Sequence, residues 1–466
     1  MRIRLFSQYV HLQIAVLALL ETTMFFAVLM AAAVVRFGFG VGAFELKEGP
    51  LWPRAVVFGA AMVASLMAFG LYSARQRARG GGIFVRVVAA VGGGAVLTML
   101  CFYVIPALWL GRGVLGYAAA GAVVAVSTSR FVFSHFVDES LFKRRVLVYG
   151  AGKSALPIAR LRRRSDQRGF VLMGFLLAEG EATAVPSERL LESSADILGL
   201  CRQHGVDEVV VAMDDRRRAF QIRELLECRL AGVDVTELLT FLERETGRVR
   251  IDVLNPSWLI FGAGFRRGTL RMFNVRLLDL AASSLVLLVG LPVMLATAAA
   301  IKLEDGWRAP VFYRQERVGL LGRTFRLLKF RSMRQDAEAT GEARWAEKDD
   351  PRITRVGAII RKLRVDELPQ ILNVLRGHMS FVGPRPERPQ FVAELSERIP
   401  YYVERHCVKP GITGWAQLCY QYGSSEHDAL EKLQYDLYYI KNNSFLFDLA
   451  ILVQTAEVVF MGKGAR

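Results

Sequence analysis

The sequence has few cysteines and histidines and no cluster of either. Its five cysteines are scattered without a CxxC pair, and its six histidines show no ligand-like spacing. This pattern predicts neither a zinc site nor a disulfide framework. A cleavable signal peptide is also missing, because the apolar run after the basic start is too long and lacks a small-residue exit. We therefore expect the first apolar segment to stay in the chain.

Apolar residues and positive charge are both in excess. Hydrophobic residues make up 53% of the chain, and the net charge is +16. The mean hydropathy is +0.29. A basic balance of this kind fits nucleic acid, an anionic membrane face or phosphorylated substrates. We predict no nucleic-acid partner, because that role would leave the hydrophobic half of the chain without a use.

The first 133 residues contain four apolar segments of spanning length, at residues 11–35, 55–72, 83–110 and 114–133. About 20 apolar residues cross a hydrocarbon core as a helix. Basic residues concentrate at the start, in the second loop and at the exit, which predicts that the N-terminus and everything after Lys143 are cytoplasmic. Glu21 lies inside the first segment, where it is either a functional carboxylate or one that faces another helix.

Alternating strand and helix patterns begin at Arg145 and predict a Rossmann-like parallel sheet. The predicted strands are residues 146–150, 170–177, 209–213 and 233–238. Gly150 and Gly152 open the first turn as in a dinucleotide-binding fingerprint, with Ala155 in place of the third glycine. No acidic residue stands clearly at the expected distance. The turn is therefore either a cofactor site at Gly150 and Gly152 or part of a degenerate structural or regulatory module.

A further apolar segment, residues 277–301, has strongly basic flanks on both sides. A plain span would place one flank on the wrong side of the membrane, whereas a hairpin keeps both inside. Pro292 removes a backbone donor, and Ser283 and Ser284 could satisfy the freed groups. We predict a helix–break–helix that enters and leaves by the cytoplasmic face, with a fifth span as the alternative. A shorter run, residues 445–460, predicts an interfacial or packing helix.

Two adjacent carboxylates, Asp366 and Glu367, are the sharpest chemical signal. Ile359, Ile360 and Leu363 predict the apolar face of a helix that ends at this pair. Neighbouring positions on a helix point about 100° apart, so the two carboxylates are not expected to form a facing dyad. The spacing instead favours a division of labour, in which one carboxylate attacks or accepts a proton and the other holds a divalent cation.

The surroundings of the pair indicate phosphate chemistry. Arg364 precedes it, and Arg385 follows in a loop braced by Pro384 and Pro386. Arginine forks match phosphate oxygens, and Mg²⁺ usually binds through one or two carboxylates together with substrate phosphates. A merely solvated helix end would explain a lone acidic pair, but not why proline-braced arginine and glycine loops lie so near it in the sequence.

Five motifs in this order resemble the bacterial sugar transferase family of polyprenyl-phosphate glycosylphosphotransferases. The resemblance runs from about residue 271 to the C-terminus. The four N-terminal segments and the α/β module are similar to the large members that initiate exopolysaccharide or O-antigen assembly, and residues 4–10 resemble the PEP-CTERM/exosortase-associated subgroup. The motifs are Gln315-Glu316-Arg317-Val318-Gly319, Lys329-Phe330-Arg331-Ser332-Met333, Asp366-Glu367-Leu368-Pro369-Gln370, Val382-Gly383-Pro384-Arg385-Pro386 and Lys409-Pro410-Gly411-Ile412-Thr413-Gly414-Trp415.

The resemblance implies a mechanism. Asp366 would attack the β-phosphate of a UDP-sugar, expel UMP and form a phosphosugar–aspartyl intermediate. Glu367 would coordinate Mg²⁺, and polyprenyl (undecaprenyl) phosphate would then attack the intermediate. The re-entrant helix, at about residues 275–303, would carry Pro292 and be framed by Asp279 and Glu304. The residues implied in substrate or phosphate binding are Arg317, Lys329, Arg331, Arg364, Pro384, Arg385 and Lys409.

These inferences predict a multi-domain α/β membrane protein. Residues 1–142 would form a four-helix transmembrane bundle, 143–255 a Rossmann-like module, and 256–466 a mainly helical catalytic domain with the re-entrant helix. The expected location is the bacterial inner membrane, with the catalytic domain in the cytoplasm. The expected partners are a UDP-sugar, polyprenyl phosphate, membrane lipids, a second copy of the chain and downstream glycosyltransferases.

The sequence is compatible with two other functions. One is an NAD-dependent nucleotide-sugar dehydratase or epimerase built on the α/β module. That chemistry needs a Tyr-x-x-x-Lys pair, and we expect the candidates for it to lie outside the module. The other is a membrane scaffold without catalytic activity, for which replacing Asp366 by asparagine would leave function intact.

Overall fold

The computed structural model describes residues 2–5, 8–72, 80–136, 143–161, 169–191, 196–215, 221–254, 268–334, 352–420, 423 and 425–460. The chain divides into two compact units, Met1–Thr246 and Gly247–Arg466. Val249 packs in the core of the second unit together with Leu437. The predicted domain boundaries at residues 142 and 255 stay predictions.

The first unit begins with a short antiparallel hairpin and five helices. The elements are β1 (Arg2–Leu5), β2 (Gln8–His11), α1 (Leu12–Phe37), α2 (Val41–Glu48), α3 (Trp52–Ala68), α4 (Gly80–Val104) and α5 (Arg112–Phe136). Helices α1, α4 and α5 are long and apolar enough to cross a membrane. Helix α3 is also apolar but has only 17 residues, fewer than the other three. Phe25, Phe58 and Met62 are fully buried between these helices, while Leu19 and Phe131 are exposed. An apolar interior with an apolar exterior is expected of a bundle surrounded by lipid.

Glu21 faces other helices of this bundle. Its carboxylate is fully buried and accepts hydrogen bonds from the Tyr72 hydroxyl at 2.5 Å, the Ser129 hydroxyl at 3.1 Å and Arg130 Nη2 at 3.2 Å. The guanidinium of Arg130 also stacks on the Tyr72 ring, 5.2 Å from its centroid. Glu21 therefore joins α1 to α5 and to the segment after α3, which confirms the second of the two predicted roles.

The α/β part of the first unit has four parallel strands in the order β4–β3–β5–β6. Its strands are β3 (Arg144–Tyr149), β4 (Phe170–Leu176), β5 (Glu208–Val211) and β6 (Asp234–Glu237). Its helices are α6 (Leu156–Ala159), α7 (Ile197–His204), α8 (Ile222–Leu230) and α9 (Leu238–Thr246). The four predicted strands are confirmed within two residues at each end.

The second unit combines one long apolar helix with a mainly helical body. It begins with α10 (Thr269–Asp305), the hairpin β7 (Phe312–Val318) and β8 (Thr324–Phe330), α11 (Arg355–Lys362), α12 (Gln370–Leu375) and β9 (Ser380–Val382). It continues with α13 (Pro389–Arg398), β10 (Gly411–Thr413), α14 (Trp415–Cys419), α15 (Glu426–Asn442) and α16 (Phe445–Phe460). Strands β9 and β10 pair in parallel.

The predicted break in the apolar segment is wrong, because α10 runs through Pro292 without interruption for 37 residues. A proline removes only one backbone donor, and the strongly apolar turns on either side continue the helix past it. Ser283 does not compensate for the lost bond: its hydroxyl is buried and has no hydrogen-bond partner in the described part of the chain. Arg266 and Arg267, which belong to its basic flank, lie outside the described residues.

Helix α10 lies along the rest of the second unit. Near its start, Arg276 donates to the carbonyl oxygens of Val374 and Leu375, each at 2.7 Å. Near its end, Glu304 accepts hydrogen bonds from the backbone N–H groups of Arg355 at 2.8 Å and Val356 at 2.9 Å. Both ends of this apolar helix are therefore held by the same compact unit.

Helix α16 packs on this unit, as predicted for a packing helix. Ile451 is fully buried, and the buried Asp448 carboxylate accepts a hydrogen bond from the Tyr439 hydroxyl at 2.9 Å. The hydroxyls of Thr455 and Thr413 lie 2.8 Å apart, which joins α16 to β10.

Candidate active site

The Asp366–Glu367 pair lies in a tight turn between two helices. Helix α11 ends at Lys362, Arg364 adopts a left-handed conformation with φ 59°, and a 3₁₀ turn covers Val365–Glu367. A non-glycine residue in this conformation is uncommon and occurs often at functional sites. The pair thus follows the predicted helix instead of ending it.

The predicted apolar face of α11 is only partly correct. Ile360 is 5% exposed and packs with Phe330, whereas Ile359 and Leu363 are 60% and 63% exposed. Ile359 and Leu363 are four residues apart, so they present one apolar surface beside the carboxylate pair.

Three cationic side chains surround one oxygen of Glu367. Its Oε1 lies 3.0 Å from Arg385 Nη2, 3.4 Å from Lys329 Nζ and 3.7 Å from Arg364 Nη1. Burial raises the pKa of Glu367, but Arg385, Lys329 and Arg364 outweigh it and bring the pKa down to about 2. Glu367 is therefore ionised throughout the physiological range.

Asp366 differs from its neighbour. Among the residues that the structure describes, its carboxylate takes part in no hydrogen bond and no ion pair. Burial, and then the charge of Glu367, raise its pKa, while Lys329, Arg361 and Arg364 oppose that rise. A partly desolvated carboxylate without a hydrogen-bond partner is a better nucleophile than one already bound to three cations.

The β7–β8 hairpin supplies two of the predicted phosphate-binding residues. Lys329 on β8 points at Glu367, and burial lowers its pKa. Arg317 on β7 donates to Gln315 Oε1 at 2.6 and 3.0 Å and to the carbonyl of Pro386 at 3.0 Å. Burial lowers the pKa of Arg317 to about 10. Arg317 thus connects the hairpin to the loop that carries Arg385.

Glycines allow the backbones of two motifs, residues 382–386 and 409–415, to pack against each other next to Arg385. A β-carbon on Gly411 would lie 2.1 Å from the backbone nitrogen of Gly383, and one on Gly414 would lie 2.2 Å from the Gly383 carbonyl oxygen. The N–H of Gly411 donates to the Pro384 carbonyl at 2.9 Å. Pro384 therefore positions the loop through its backbone, and Arg385 follows directly from it.

A buried ion pair that the sequence analysis did not single out supports the same loop. Arg405 Nη2 lies 2.8 Å from Asp436 Oδ2 and 3.2 Å from the carbonyl oxygen of Arg385, and Arg405 Nη1 donates to the Tyr402 hydroxyl at 2.6 Å. Gln417 also contacts Arg385, at 3.4 Å. No local spacing reveals these partners, because Arg405 and Asp436 lie 31 residues apart.

Asp279 holds the start of β9 in place. Its Oδ1 accepts hydrogen bonds from the Ser380 hydroxyl at 2.8 Å and the Phe381 N–H at 2.7 Å. Lys409 belongs to this region: burial lowers its pKa, while the charge of Asp279 raises it. Asp279 therefore orients the strand that leads into the Arg385 loop.

Arg331 and Lys409 are not brought to the carboxylate pair. Arg331 forms an ion pair with Asp305 at the end of α10. Within the described residues, neither Arg331 nor Lys409 contacts Asp366 or Glu367. Together with Glu304, which binds the first N–H groups of α11, Arg331 anchors the end of the long helix instead.

The carboxylate pair fits only a metal site that the substrate completes. In the part of the chain that the structure describes, no three histidine, cysteine or acidic side chains are placed to hold a metal ion. Mg²⁺ commonly takes one or two carboxylates together with substrate phosphates, and Asp366 and Glu367 can provide that minimum. Glu367 would first have to exchange its contact with Arg385 for the ion.

The glycine turn of the first unit is filled by acidic side chains of its own chain. The N–H groups of Lys153 and Ser154 donate to Asp214 at 2.9 and 2.6 Å, and that of Ala151 donates to Glu181 at 2.8 Å. A β-carbon on Gly152 would lie 2.2 Å from Asp214 Oδ2. These are the donors that a pyrophosphate would need, so the arrangement disfavours a dinucleotide at Gly150 and Gly152.

The expectation about the Tyr-x-x-x-Lys pair needs a correction. Tyr149 and Lys153, inside the module, do have this spacing. Tyr149 is the last residue of β3 and is buried in the core, whereas Lys153 is exposed in the turn. Burial raises the pKa of Tyr149 to about 12, which is unsuited to proton transfer near neutral pH.

Comparison with known proteins identifies the family of this chain. A profile of the family described as bacterial sugar transferase matches residues 270–462. The chain is 30% identical to UDP-glucose:undecaprenyl-phosphate glucose-1-phosphate transferase of Xanthomonas campestris pv. campestris, over 99% of this chain and 96% of that protein. It is 44% identical to UDP-N-acetylgalactosamine-undecaprenyl-phosphate N-acetylgalactosaminephosphotransferase of Aeromonas hydrophila, over 52% of this chain and 56% of that protein.

A third relative extends the agreement. Undecaprenyl-phosphate glucose phosphotransferase of Komagataeibacter xylinus is 34% identical over 69% of this chain and 60% of that protein. The chain thus spans less than two thirds of the Aeromonas and Komagataeibacter proteins, but nearly the whole of the Xanthomonas protein. With a match along almost its entire length and the carboxylate pair inside the profile, the chain belongs to the bacterial sugar transferase family of phosphoglycosyl transferases.

Proposed function

We propose that this enzyme transfers a sugar 1-phosphate from a UDP-sugar to undecaprenyl phosphate and releases UMP. The observation that carries the proposal is the asymmetry of the carboxylate pair: Arg385, Lys329 and Arg364 surround Glu367, while Asp366 has no such partner among the described residues. A cationic pocket suits a diphosphate, and an unpaired carboxylate suits attack on phosphorus. The sugar stays open, because the relatives named above differ in it.

The reaction proceeds in two displacements at phosphorus. An Asp366 oxygen attacks the β-phosphorus, the bond from that phosphorus to the bridging oxygen breaks, and UMP leaves with the bond's electron pair. A phosphosugar–aspartyl intermediate remains. An oxygen of undecaprenyl phosphate then attacks the same phosphorus, Asp366 leaves, and undecaprenyl diphosphate sugar is formed. Arg385, Lys329 and Arg364 bind the diphosphate in this scheme, since they already converge on one anionic group.

Glu367 is the proposed ligand for Mg²⁺. When bound, the ion would neutralise charge on the diphosphate. As the diphosphate attracts Arg385 and Lys329, their contacts with Glu367 would loosen and leave its ionised oxygens free for coordination. The low pKa of Glu367 supports this role, because metal ligands must be deprotonated.

The geometry of α10 supports a site at the cytoplasmic membrane surface. Leu288 and Val289 are 75% and 70% exposed on its outer side, while Met294 packs inward with Ile360. Pro292 lies inside α10, and a proline can kink a helix without ending it, so the two halves of α10 need not be collinear. If α10 crossed the bilayer, the charged body that binds both of its ends would have to extend across as well. We therefore propose that α10 enters the membrane from the cytoplasmic side and returns to it.

The exposed pair Ile359 and Leu363 supports the same orientation, because it would meet lipid close to Asp366. In this orientation a water-soluble UDP-sugar reaches the carboxylates from the cytoplasm and the lipid phosphate reaches them from the bilayer. The inner-membrane location, a second copy of the chain, downstream glycosyltransferases and the PEP-CTERM subgroup stay predictions.

A covalent trapping experiment tests the proposal. Purified protein is incubated with Mg²⁺ and a panel of UDP-sugars labelled in the sugar, then denatured and assayed for protein-bound label and free UMP. We expect label on the wild type but none on Asp366→Asn, with turnover reduced by at least about a thousandfold. The matched control is Asp234→Asn, which changes an exposed aspartate on β6. UMP release by Asp366→Asn at the rate of the control would refute the mechanism.

A further inference from the structure

A second basic cavity lies in the same unit and has no part in the mechanism above. It has a volume of about 510 Å³ and is lined by Arg314, Arg326, Arg376 and His378. The rest of its wall is formed by Phe312, Phe325, Leu328, Leu372, Thr324 and Asn373. None of the described residues that line it carries a carboxylate. A cavity of this size with three positive charges and an apolar wall suits an anion that is joined to an apolar body.

The three arginines of this cavity are available to a ligand. Within the described chain, no hydrogen bond or ion pair engages the guanidinium group of Arg314, Arg326 or Arg376. Glu316 stands opposite Arg326 in the strand register, but it does not line the cavity. Three like charges that line one cavity repel one another, and a bound phosphate would relieve that repulsion.

On β8, the side chain that contacts Glu367 and two of those that line the cavity point to opposite faces of the strand. Successive side chains of a strand point to opposite faces. Lys329 points at Glu367, whereas Leu328 and Arg326 line the cavity. Asn373 fixes this edge of the strand: its Oδ1 accepts from the Leu328 N–H at 3.0 Å, and its Nδ2 donates to the Arg326 carbonyl at 2.8 Å. The two sites are therefore separate but share a strand.

The wall of the cavity is attached to the apolar helix. Arg376 follows α12, whose last carbonyl oxygens accept both hydrogen bonds from Arg276 of α10. On the same part of α10, Phe273 and Leu277 are 63% and 55% exposed. A ligand held by Arg376 would thus lie close to an apolar surface that needs lipid to cover it.

We propose that this cavity is an accessory site for the phosphate group of an anionic lipid. The arginines would bind the phosphate oxygens, while the phenylalanine rings and leucines would contact the first carbons of the chain. The lipid could be a phospholipid of the bilayer or a prenyl phosphate, which share this chemistry. The proposal goes beyond the proposed reaction, because the site is separate from Asp366 and Glu367 and can be occupied whether or not they turn over.

Native mass spectrometry of the full chain in detergent tests the proposal. The protein is titrated with phosphatidylglycerol and with farnesyl phosphate, against phosphatidylcholine and farnesol as uncharged or zwitterionic counterparts. We expect binding of at least one anionic lipid, weakened about tenfold or more for each arginine lost in Arg326→Gln and Arg376→Gln. Whichever anionic lipid binds more tightly identifies the source.

Two further variants keep the outcome unambiguous. Arg323→Gln removes an exposed arginine of the same hairpin outside the cavity and should bind lipid like the wild type. Arg376→Lys keeps the charge and should keep most of the affinity. Equal lipid binding by the wild type and both glutamine variants would overturn the proposal. Complete displacement of the lipid by millimolar inorganic phosphate would overturn it as well, because the site would then hold a free anion.

Discussion

Arg385 Nη2 lies 3.0 Å from Glu367 Oε1, although the two residues are 18 positions apart and belong to different motifs. One of these motifs is the turn after α11 and the other is the loop after β9. Their contact helps to keep Glu367 ionised and places a guanidinium fork, a group that matches phosphate oxygens, beside the carboxylate pair. The contact therefore joins two motifs that are separate in the sequence into one site.

Loss of Arg385 should reduce catalysis more than it reduces stability. We expect Arg385→Gln to lower kcat/KM for the UDP-sugar by about a hundredfold, since it removes a cation from the diphosphate. Arg385→Lys should fall between this variant and the wild type, because it keeps the charge but not the fork. UMP release measures the effect. Arg398→Gln, which removes only exposed ion pairs, is the control, and an equal loss there would contradict the assignment.

Asp448 should make the second unit less stable as the pH rises. Burial raises its pKa to about 7, well above that of an unfolded aspartate. The folded state therefore holds an extra proton, and its advantage is lost between about pH 4 and pH 7. We expect Asp448→Asn to raise the free energy of unfolding by roughly 2–4 kcal/mol at pH 8 but to change it little at pH 4. Thermal melting at the two pH values checks this, and a shift of equal size at both would argue against it.

Gly411→Ala should damage the fold at the base of the Arg385 loop. The added methyl would overlap the backbone of Gly383, which cannot move without breaking the β9–β10 pairing. We expect a loss of roughly 2–4 kcal/mol of stability, together with lower activity. Gly268→Ala is the matched control, because nothing lies within 4 Å of its β-carbon position and its φ of −82° suits alanine. Melting temperatures of the two variants in detergent would separate them, and similar values would contradict the packing argument.

Removing one partner of the Glu21–Arg130 pair should destabilise the helix bundle, whereas replacing both partners should have a much smaller effect. Glu21→Ala leaves a buried arginine without its carboxylate in a bundle surrounded by lipid, and we expect a loss of about 3–5 kcal/mol. The double variant Glu21→Gln, Arg130→Met removes both charges and should recover most of that loss. Thermal unfolding in detergent measures both. A double variant as unstable as Glu21→Ala would contradict the explanation that the loss comes from the unpaired charge of Arg130.

Residues whose roles depend on local pattern were predicted well. The four strands of the parallel sheet and the helices α1, α4 and α5 follow from short-range hydrophobic periodicity, and they lie where the pattern predicted them. The unbroken course of α10 through Pro292 was not predicted, because the apolar turns around a proline can outweigh its local penalty. Ile359 and Leu363 were predicted to lie on the apolar face of α11, and they are exposed, because amphipathic spacing does not say which partner an apolar face will meet.

The apolar segments, the parallel sheet and the candidate carboxylate pair of this protein could be predicted from the sequence, because each depends on residues that are close together in the chain. The residues that surround this pair could not be predicted in the same way. Arg385 and Lys329 reach Glu367 from distant segments, Arg331 is drawn away to Asp305, and Asp214 fills the glycine turn of the first unit. Contacts between residues far apart in the chain depend on how whole elements pack, and no local pattern records that packing.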